Sequence, residues 1–414
     1  MSSPQDVHRA LSGLLRAGQQ ASLEDLPSLI ARHAPDVGAH QCLIYLADLQ
    51  QSTLRLLAEP DGPVGQPGVP EETEDKPPDE LGIDTTLAGR AFQEVRVLRK
   101  PAEHGRQCWW VPLLNGAERL GVLRILVDPP DGGSACAREE DIADLASLLG
   151  LLVGGKRSFS DTFRRLVRSR RMNVAAEMLW HLMPPLTFAD GEVTIAGVLE
   201  PAYEIGGDAF DYALGDHTVH LAIFDAMGHD VSAGLTANLV MAASRNLRRQ
   251  GVGLAETTEG IENLLLREFG ETSRFVTAVI ADFDLTTGML TWVNRGHHAP
   301  VLIRGARWVT SLECPVTPPL GLGLELPVKV CQVQLEPGDR LLLYTDGIVE
   351  AGRHHGEEFG LDRFVHFIMR QSYARLPVPE TLRRLIKDVL EHHEGQLQDD
   401  ATVLMTEWHG RAAA

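Results

Sequence analysis

His217-Thr-Val-His-Leu-Ala-Ile-Phe-Asp-Ala-Met-Gly-His-Asp230 decides the reading of the C-terminal half. His217 to Phe224 is rich in β-branched and aromatic residues and reads as a strand. That strand delivers Asp225 to a point where small neighbours, Ala226 and Gly228, let other backbone come close. Three further acidic clusters have the same character: Gly206-Gly207-Asp208-Ala-Phe-Asp211, Tyr344-Thr345-Asp346-Gly347 and Gln398-Asp399-Asp400-Ala-Thr402. Each aspartate taken alone is an ordinary turn residue. Taken together they are the oxygen-rich donor set that hard cations such as Mg²⁺ and Mn²⁺ require. Carboxylates gathered without cations would raise one another's pKa and destabilise the chain, so convergence of the set predicts more than one bound metal.

Working outward from 217–230, strand-like runs lie at Val193 to Val198, Thr277 to Phe283, Met289 to Asn294, Pro300 to Ile303 and Arg340 to Tyr344. Helical patterns lie at Ala233 to Gln250, Leu254 to Gly270 and Glu380 to His393. Hairpins followed by two long helices in succession predict an α+β layered fold, not a parallel βαβ sheet. Further upstream, residues 21 to about 155 read as an α/β unit. It has helices at Leu23–His33, Thr86–Glu94 and Glu139–Leu152, and strands around Gln41–Ala47, Thr53–Ala58, Trp109–Leu113 and Leu120–Val127. Asn115-Gly116 marks a hairpin between the last two. Glu59 to Leu81, dense in Pro, Gly, Asp and Glu, reads as a mobile loop. Between the halves, Lys156 to Leu182 carries seven Lys or Arg residues over an apolar stripe of Phe159, Phe163, Leu166, Met172, Ala176, Leu179 and Leu182-Met183. It reads as one basic amphipathic helix, ended by Pro184-Pro185 and expected to pack, with a second copy as the favoured partner. The expected organisation is residues 1–155, a linker helix at 156–185, and a C-terminal domain at 186–410.

Composition narrows the classes. The 414 residues are too many for one ordinary core, and 44% hydrophobic with 23% charged residues suits a soluble globular chain. A net charge of −19 argues against general nucleic-acid binding. No apolar run approaches the roughly 20 residues a spanning helix needs, and no signal peptide is evident, so a cytoplasmic protein without membrane contact is expected. Cys42, Cys108, Cys136, Cys314 and Cys331 form no CxxC pair and have no metal-ligand spacing; reduced thiols are expected, not disulfides or a zinc site.

The segments "IGGDAFD", "DAMGHD", "NRGHHAP", "TDGIVEA" and "DDAT", in this order over residues 178 to 408, resemble the PPM family of metal-dependent protein phosphatases, specifically its bacterial SpoIIE-like branch. The resemblance implies a PPM β-sandwich flanked by helices, and a phosphoserine/phosphothreonine phosphatase holding two Mn²⁺ or Mg²⁺ ions. It implies that Asp225 bridges the ions, that the Ala226 carbonyl completes one shell, that Asp346 and Asp399 hold the second side, and that Asp208 binds directly or through water. Asp400 is the alternative to Asp399. Asp225 and Asp208 are the residues on which catalysis is expected to depend, with a water between the ions attacking phosphorus in line and no phospho-enzyme. The implied substrate is a phosphorylated regulatory protein, an anti-sigma-factor antagonist, in a partner-switching pathway.

Departures from the family pattern are Asp230 after His229, and Arg295 in place of a common Ala. Met227 stands where eukaryotic members have a histidine proposed as general acid; His229 is a weak substitute, and His297 and His298 read as structural. "LAGRAF", "VPLLNGAERLGVL" and "LIYLADLQQSTLRLLAE" resemble a GAF domain, which implies a sensor or dimerisation module that regulates the phosphatase as a homodimer. "GGDAF" differs from a cyclase GGDEF signature in having Ala209 after the aspartate. A non-catalytic scaffold of phosphatase fold would usually have lost a metal aspartate, and none is missing.

Overall fold

Two compact units make up the chain, residues 1–170 and 171–414. The structure is a computed structural model that describes residues 4–58, 78–128, 138–204, 206–228, 230–270, 274–315, 317–350, 359–392, 397 and 399–410. Most of the expected Glu59–Leu81 loop, together with Cys136 and His229, lies outside the described residues.

In the first unit the helices are α1 (Pro4–Gln20), α2 (Leu26–His33), α3 (Leu87–Glu94), α4 (Glu139–Lys156) and α5 (Asp161–Val167). The strands are β1 (Ala39–Ala47), β2 (Thr53–Leu56), β3 (Glu80–Gly82), β4 (Leu98–Pro101), β5 (Gln107–Asn115) and β6 (Glu118–Val127). They form one antiparallel sheet in the order β3-β2-β1-β6-β5-β4. Because strand side chains alternate between faces, Cys42, Ile44 and Leu46 of β1 pack with α1, α2 and α4, along with Trp109, Val111 and Leu113 of β5. Tyr45, Cys108 and Trp110 point the other way, onto Ala88, Ala91 and Phe92 of α3. Asn115 pairs with Glu118 across the expected hairpin, with Gly116 at φ 60°.

The second unit contains α6 (Val174–Leu182), β7 (Thr187–Ala189), β8 (Val193–Glu200), β9 (Asp208–Gly215), β10 (Thr218–Ala226), α7 (Val231–Arg249) and α8 (Leu254–Phe269). There follow β11 (Val276–Asp284), β12 (Met289–Arg295), β13 (Val301–Arg304), β14 (Trp308–Ser311), β15 (Cys331–Gln334), β16 (Arg340–Tyr344), α9 (Asp346–Val349), α10 (Leu361–Tyr373), α11 (Val378–His392) and β17 (Ala401–Trp408). Two antiparallel sheets, β15-β12-β11-β10-β9 and β14-β13-β16-β17-β8-β7, face each other. Ile195, Leu341, Leu343 and Leu404 of the second sheet share a core with Leu221, Ile223 and Val279 of the first. Their neighbours Ala196, Leu342, Tyr344, Val403 and Met405 face outward onto α10 and α11. On the far side α7 lies against β9 and β10, and α8 against β11 and β12. The result is a helix–sheet–sheet–helix sandwich.

The sequence-based expectation of one linker helix over 156–185 is corrected. Its path is α5, then an extended break at Arg168 to Asn173, then α6. Ser160 and Asn173 start the two helices by accepting from the amides of Phe163 and Ala176. The Arg55 guanidinium binds the Arg168 carbonyl at 2.7 Å, while the Asn173 amide donates to the Tyr203 carbonyl at 2.9 Å. The apolar stripe therefore splits between two cores: Phe163 and Leu166 pack in the first unit, Met172, Ala176, Leu179 and Met183 in the second. Phe159 is exposed. A second correction concerns the cysteines. Cys314, in the loop after β14, and Cys331, the first residue of β15, form a disulfide across 17 residues of chain. Cys42 and Cys108 are buried and belong to no disulfide among the described residues, and burial pushes the Cys42 thiol up to about 12.

A candidate metal centre at the strand ends

β10 ends where β9 begins, and their register sets Asp225 opposite Asp208. β16 ends at Tyr344 and passes through Thr345 into α9, whose first residue is Asp346. β17 starts directly after Asp399 and Asp400 and pairs with β16 on one side and β8 on the other. Antiparallel pairing thus brings the ends of β10 and β16 to the starts of β9 and β17.

Hydrogen bonds fix this junction. Asp400 Oδ2 accepts from the amides of Gly206, Gly207 and Asp208 at 2.7, 2.7 and 3.1 Å. The Thr345 hydroxyl donates to Asp208 Oδ2 at 2.6 Å and accepts from the Thr402 amide at 3.0 Å. Asp399 Oδ1 accepts from the Asp400 amide at 2.9 Å. Two glycines are required by close approach. A Cβ on Gly207 would lie 2.2 Å from the Ala226 carbonyl oxygen, and one on Gly347 would lie 2.0 Å from the Asp400 carbonyl oxygen.

Thr277, opposite Asp225 on β11, places its hydroxyl 3.5 Å from Asp225 Oδ2 and 2.7 Å from His297 Nδ1. His297 Nε2 lies 3.0 Å from the Tyr344 carbonyl oxygen, which can only accept, so the ring proton sits on Nε2. The Thr277 hydroxyl therefore donates to Nδ1. Burial pushes the His297 pKa down to about 3, with His298 adding to the shift. His298 itself is exposed and stacks on Tyr344.

The carboxylates are close enough to raise one another's pKa. Burial, then Asp346, Asp399 and Asp400, pushes Asp225 up to about 7. Burial, then Asp225 and Asp400, holds Asp208 well above the usual range against the Thr345 hydrogen bond. Asp346 is raised by burial and Asp399, and Asp400 by burial despite its three amide donors. Such a set suits cations: its donors are carboxylate and carbonyl oxygens, and the buried imidazole beside it has both nitrogens committed elsewhere. Among the described residues no three His, Cys, Asp or Glu side chains already close on one point as ligands do around an ion. What the aspartates share is a neighbourhood and an uncompensated charge.

All five aspartates singled out from the sequence, Asp208, Asp225, Asp346, Asp399 and Asp400, thus come together, and the Ala226 carbonyl lies against Gly207 beside them. Asp211 does not join them. Three residues from Asp208, it faces α7, where Arg245 and Arg248 bind it at 2.6 and 2.8 Å. Arg295, the departure in "NRGHHAP", ties β12 to α8 through Glu262 at 3.1 Å and to the Pro318 carbonyl at 2.8 Å. Thr345, Thr277 and the His297 tautomer carry no signal in the sequence; only their partners reveal them.

Residues 215–409 match the family described as Stage II sporulation protein E (SpoIIE). Phosphoserine phosphatase RsbU of Bacillus subtilis is 21% identical over 237 residues, covering 56% of this chain and 69% of RsbU. Phosphoserine phosphatase RsbP of the same organism is 24% identical over 163 residues, covering 38% of this chain and 40% of RsbP. Among solved structures, the RsbU and RsbW domains of a Mycobacterium tuberculosis protein align with a TM-score of 0.47 at 23% identity, over 56% of this chain and 64% of that one.

Proposed function

We propose that the chain, whose residues 215–409 match the SpoIIE family, is a PPM-type, metal-dependent protein serine/threonine phosphatase that removes phosphate from phosphoserine or phosphothreonine on a regulatory protein. The observation that carries the proposal is the gathering of Asp208, Asp225, Asp346 and Asp399 at one set of strand ends, each with its pKa raised or its charge raising another's. Two divalent cations, Mn²⁺ or Mg²⁺, would neutralise phosphoryl charge there and lower the pKa of water.

In this reading Asp225, Asp208, Asp346, Asp399 and the Ala226 carbonyl would hold the cations. Asp399 is preferred to Asp400 because Asp400 already spends an oxygen on three amides, whereas Asp399 is exposed beside Asp225 and Asp346. Asp400 then shapes the Gly206–Asp208 turn, and Thr345 orients Asp208. The buried, neutral His297 holds Thr277 and the end of β16 in register with the site.

The similarity to the phosphoserine phosphatases RsbU and RsbP supports a phosphoserine-bearing protein as substrate, and the SpoIIE-like resemblance implies that it is an anti-sigma-factor antagonist. The N-terminal unit, read as a GAF-like sensor or dimerisation module, would regulate turnover in a cytoplasmic homodimer. The direct test is phosphate release from a phosphoserine-bearing regulatory protein by the full chain, with and without Mn²⁺. Release by the wild type only with Mn²⁺, and its loss by about a hundredfold or more in Asp225→Asn, is expected. Equal release by wild type and variant would refute the assignment.

A further inference from the structure

Asp225, opposite Asp208 and Thr277, lies on the face of β10 turned away from α7; Ala226, opposite Val276, lies on the helix side. The ladder runs one step further, where the Met227 amide donates to the Phe275 carbonyl at 3.1 Å. That brings Arg274 alongside Gly228, about 10 Å along the strand from Asp225. A cavity of about 220 Å³ opens at this point between the Ala226–Gly228 backbone, Ser232 and Thr236 in the first turns of α7, and Arg274.

The polar groups of the cavity are unequally committed. The Thr236 hydroxyl donates to the Ser232 carbonyl at 2.9 Å, and Asp230 Oδ1 accepts from the Ala233 amide at 2.8 Å as the cap of α7. Arg274 Nη1 lies 3.4 Å from the Ser232 carbonyl, long for a hydrogen bond, and the guanidinium sits 5.0 Å from the Phe269 ring centroid. Among the described residues Arg274 forms no ion pair. Arg274 lines the cavity, and these two contacts leave most of its five N–H donors uncommitted among the described residues.

We propose that this cavity is a substrate subsite in which Arg274 donates to acceptor oxygens of the polypeptide beside the phosphorylated residue, so that the enzyme distinguishes a phosphoprotein from a small phosphate ester. The inference rests on the phosphatase reading above. Distance and strand face both separate Arg274 from the carboxylates, which assigns it to the chain flanking the phosphoryl group and not to the phosphoryl group itself. Met227, Val231 and Leu235, exposed near the cavity, would lie beside the same segment.

The test compares kcat/KM for phosphorylated casein with kcat/KM for para-nitrophenyl phosphate, using the full chain with Mn²⁺. Taking the ratio on one preparation cancels any loss of folded enzyme. Loss of a charged hydrogen bond lowers the casein-to-ester ratio about tenfold in Arg274→Ala. In Arg274→Gln, which keeps the stem on Phe269 and one donor, the fall is smaller. A ratio unchanged in both variants overturns the subsite. A wild type inactive on both substrates overturns the phosphatase reading, and the subsite with it.

Discussion

His297 shows how far one side chain can be specified by partners that carry no motif of their own. With Nε2–H on the Tyr344 carbonyl and Nδ1 accepting from Thr277, the ring has no position for a second proton, and burial holds its pKa near 3. An unfolded histidine titrates near 6.5. The folded value is lower, so its contribution to stability is complete above about pH 6.5 and is lost as pH falls from there towards about pH 3. By about pH 5 the loss from this group alone amounts to about 2 kcal/mol. Denaturant unfolding of the wild type and His297→Asn at about pH 7 and pH 5 measures it. The variant should be less stable at pH 7 but should lose about 2 kcal/mol less than the wild type on acidification. Equal losses would mean that His297 titrates normally in the folded chain. The two histidines of "NRGHHAP" look alike in the sequence; one is sealed beneath the site and the other stacks on Tyr344 at its surface.

At the level of elements, the clearest case is the attachment of α7 to β9. Asp211 is buried and receives both Arg245 and Arg248 from the C-terminal half of α7. Removing a buried carboxylate strands two guanidiniums, so Asp211→Ala should cost about 3 kcal/mol in denaturant unfolding. Its Mn²⁺ stoichiometry should stay at the wild-type value. A cost below about 1 kcal/mol, or loss of a bound ion, would show that Asp211 belongs with the metal aspartates after all. In the sequence Asp208 and Asp211 were one acidic cluster; the pleat separates them, because residues three apart in a strand face opposite ways. Asp208, which taken alone is an ordinary turn residue, is the first residue of β9. β17 leaves little trace in the sequence: Ala401 to Met405 is buried throughout, so it lacks the apolar–polar alternation that marks a half-exposed strand. α10 is legible in the sequence, with Phe364, Val365, Phe367 and Ile368 at helical spacing. Helix α1 falls within the expected 1–155 unit but ahead of residue 21, where its α/β pattern begins.

For the molecule as a whole, separate strand-end aspartates predicted from sequence that the chain would gather charge, and the two sheets gather it. The apolar stripe over 156–185 was also real, yet periodicity cannot say whether a stripe serves one partner or two. Here capping by Ser160 and Asn173 divides it between two cores. The disulfide carries no signal in the sequence, because a spacing of 17 between Cys314 and Cys331 matches no recognisable pair. The central claim, that the gathered aspartates are a two-metal centre, is tested most directly by calorimetric titration of the metal-free full chain with Mn²⁺, wild type against Asp225→Asn. The account predicts two ions bound per wild-type chain, and weakening of both by at least about tenfold in the variant that lacks the Asp225 carboxylate. Undiminished binding of two ions by Asp225→Asn, or no binding by the wild type, would contradict it.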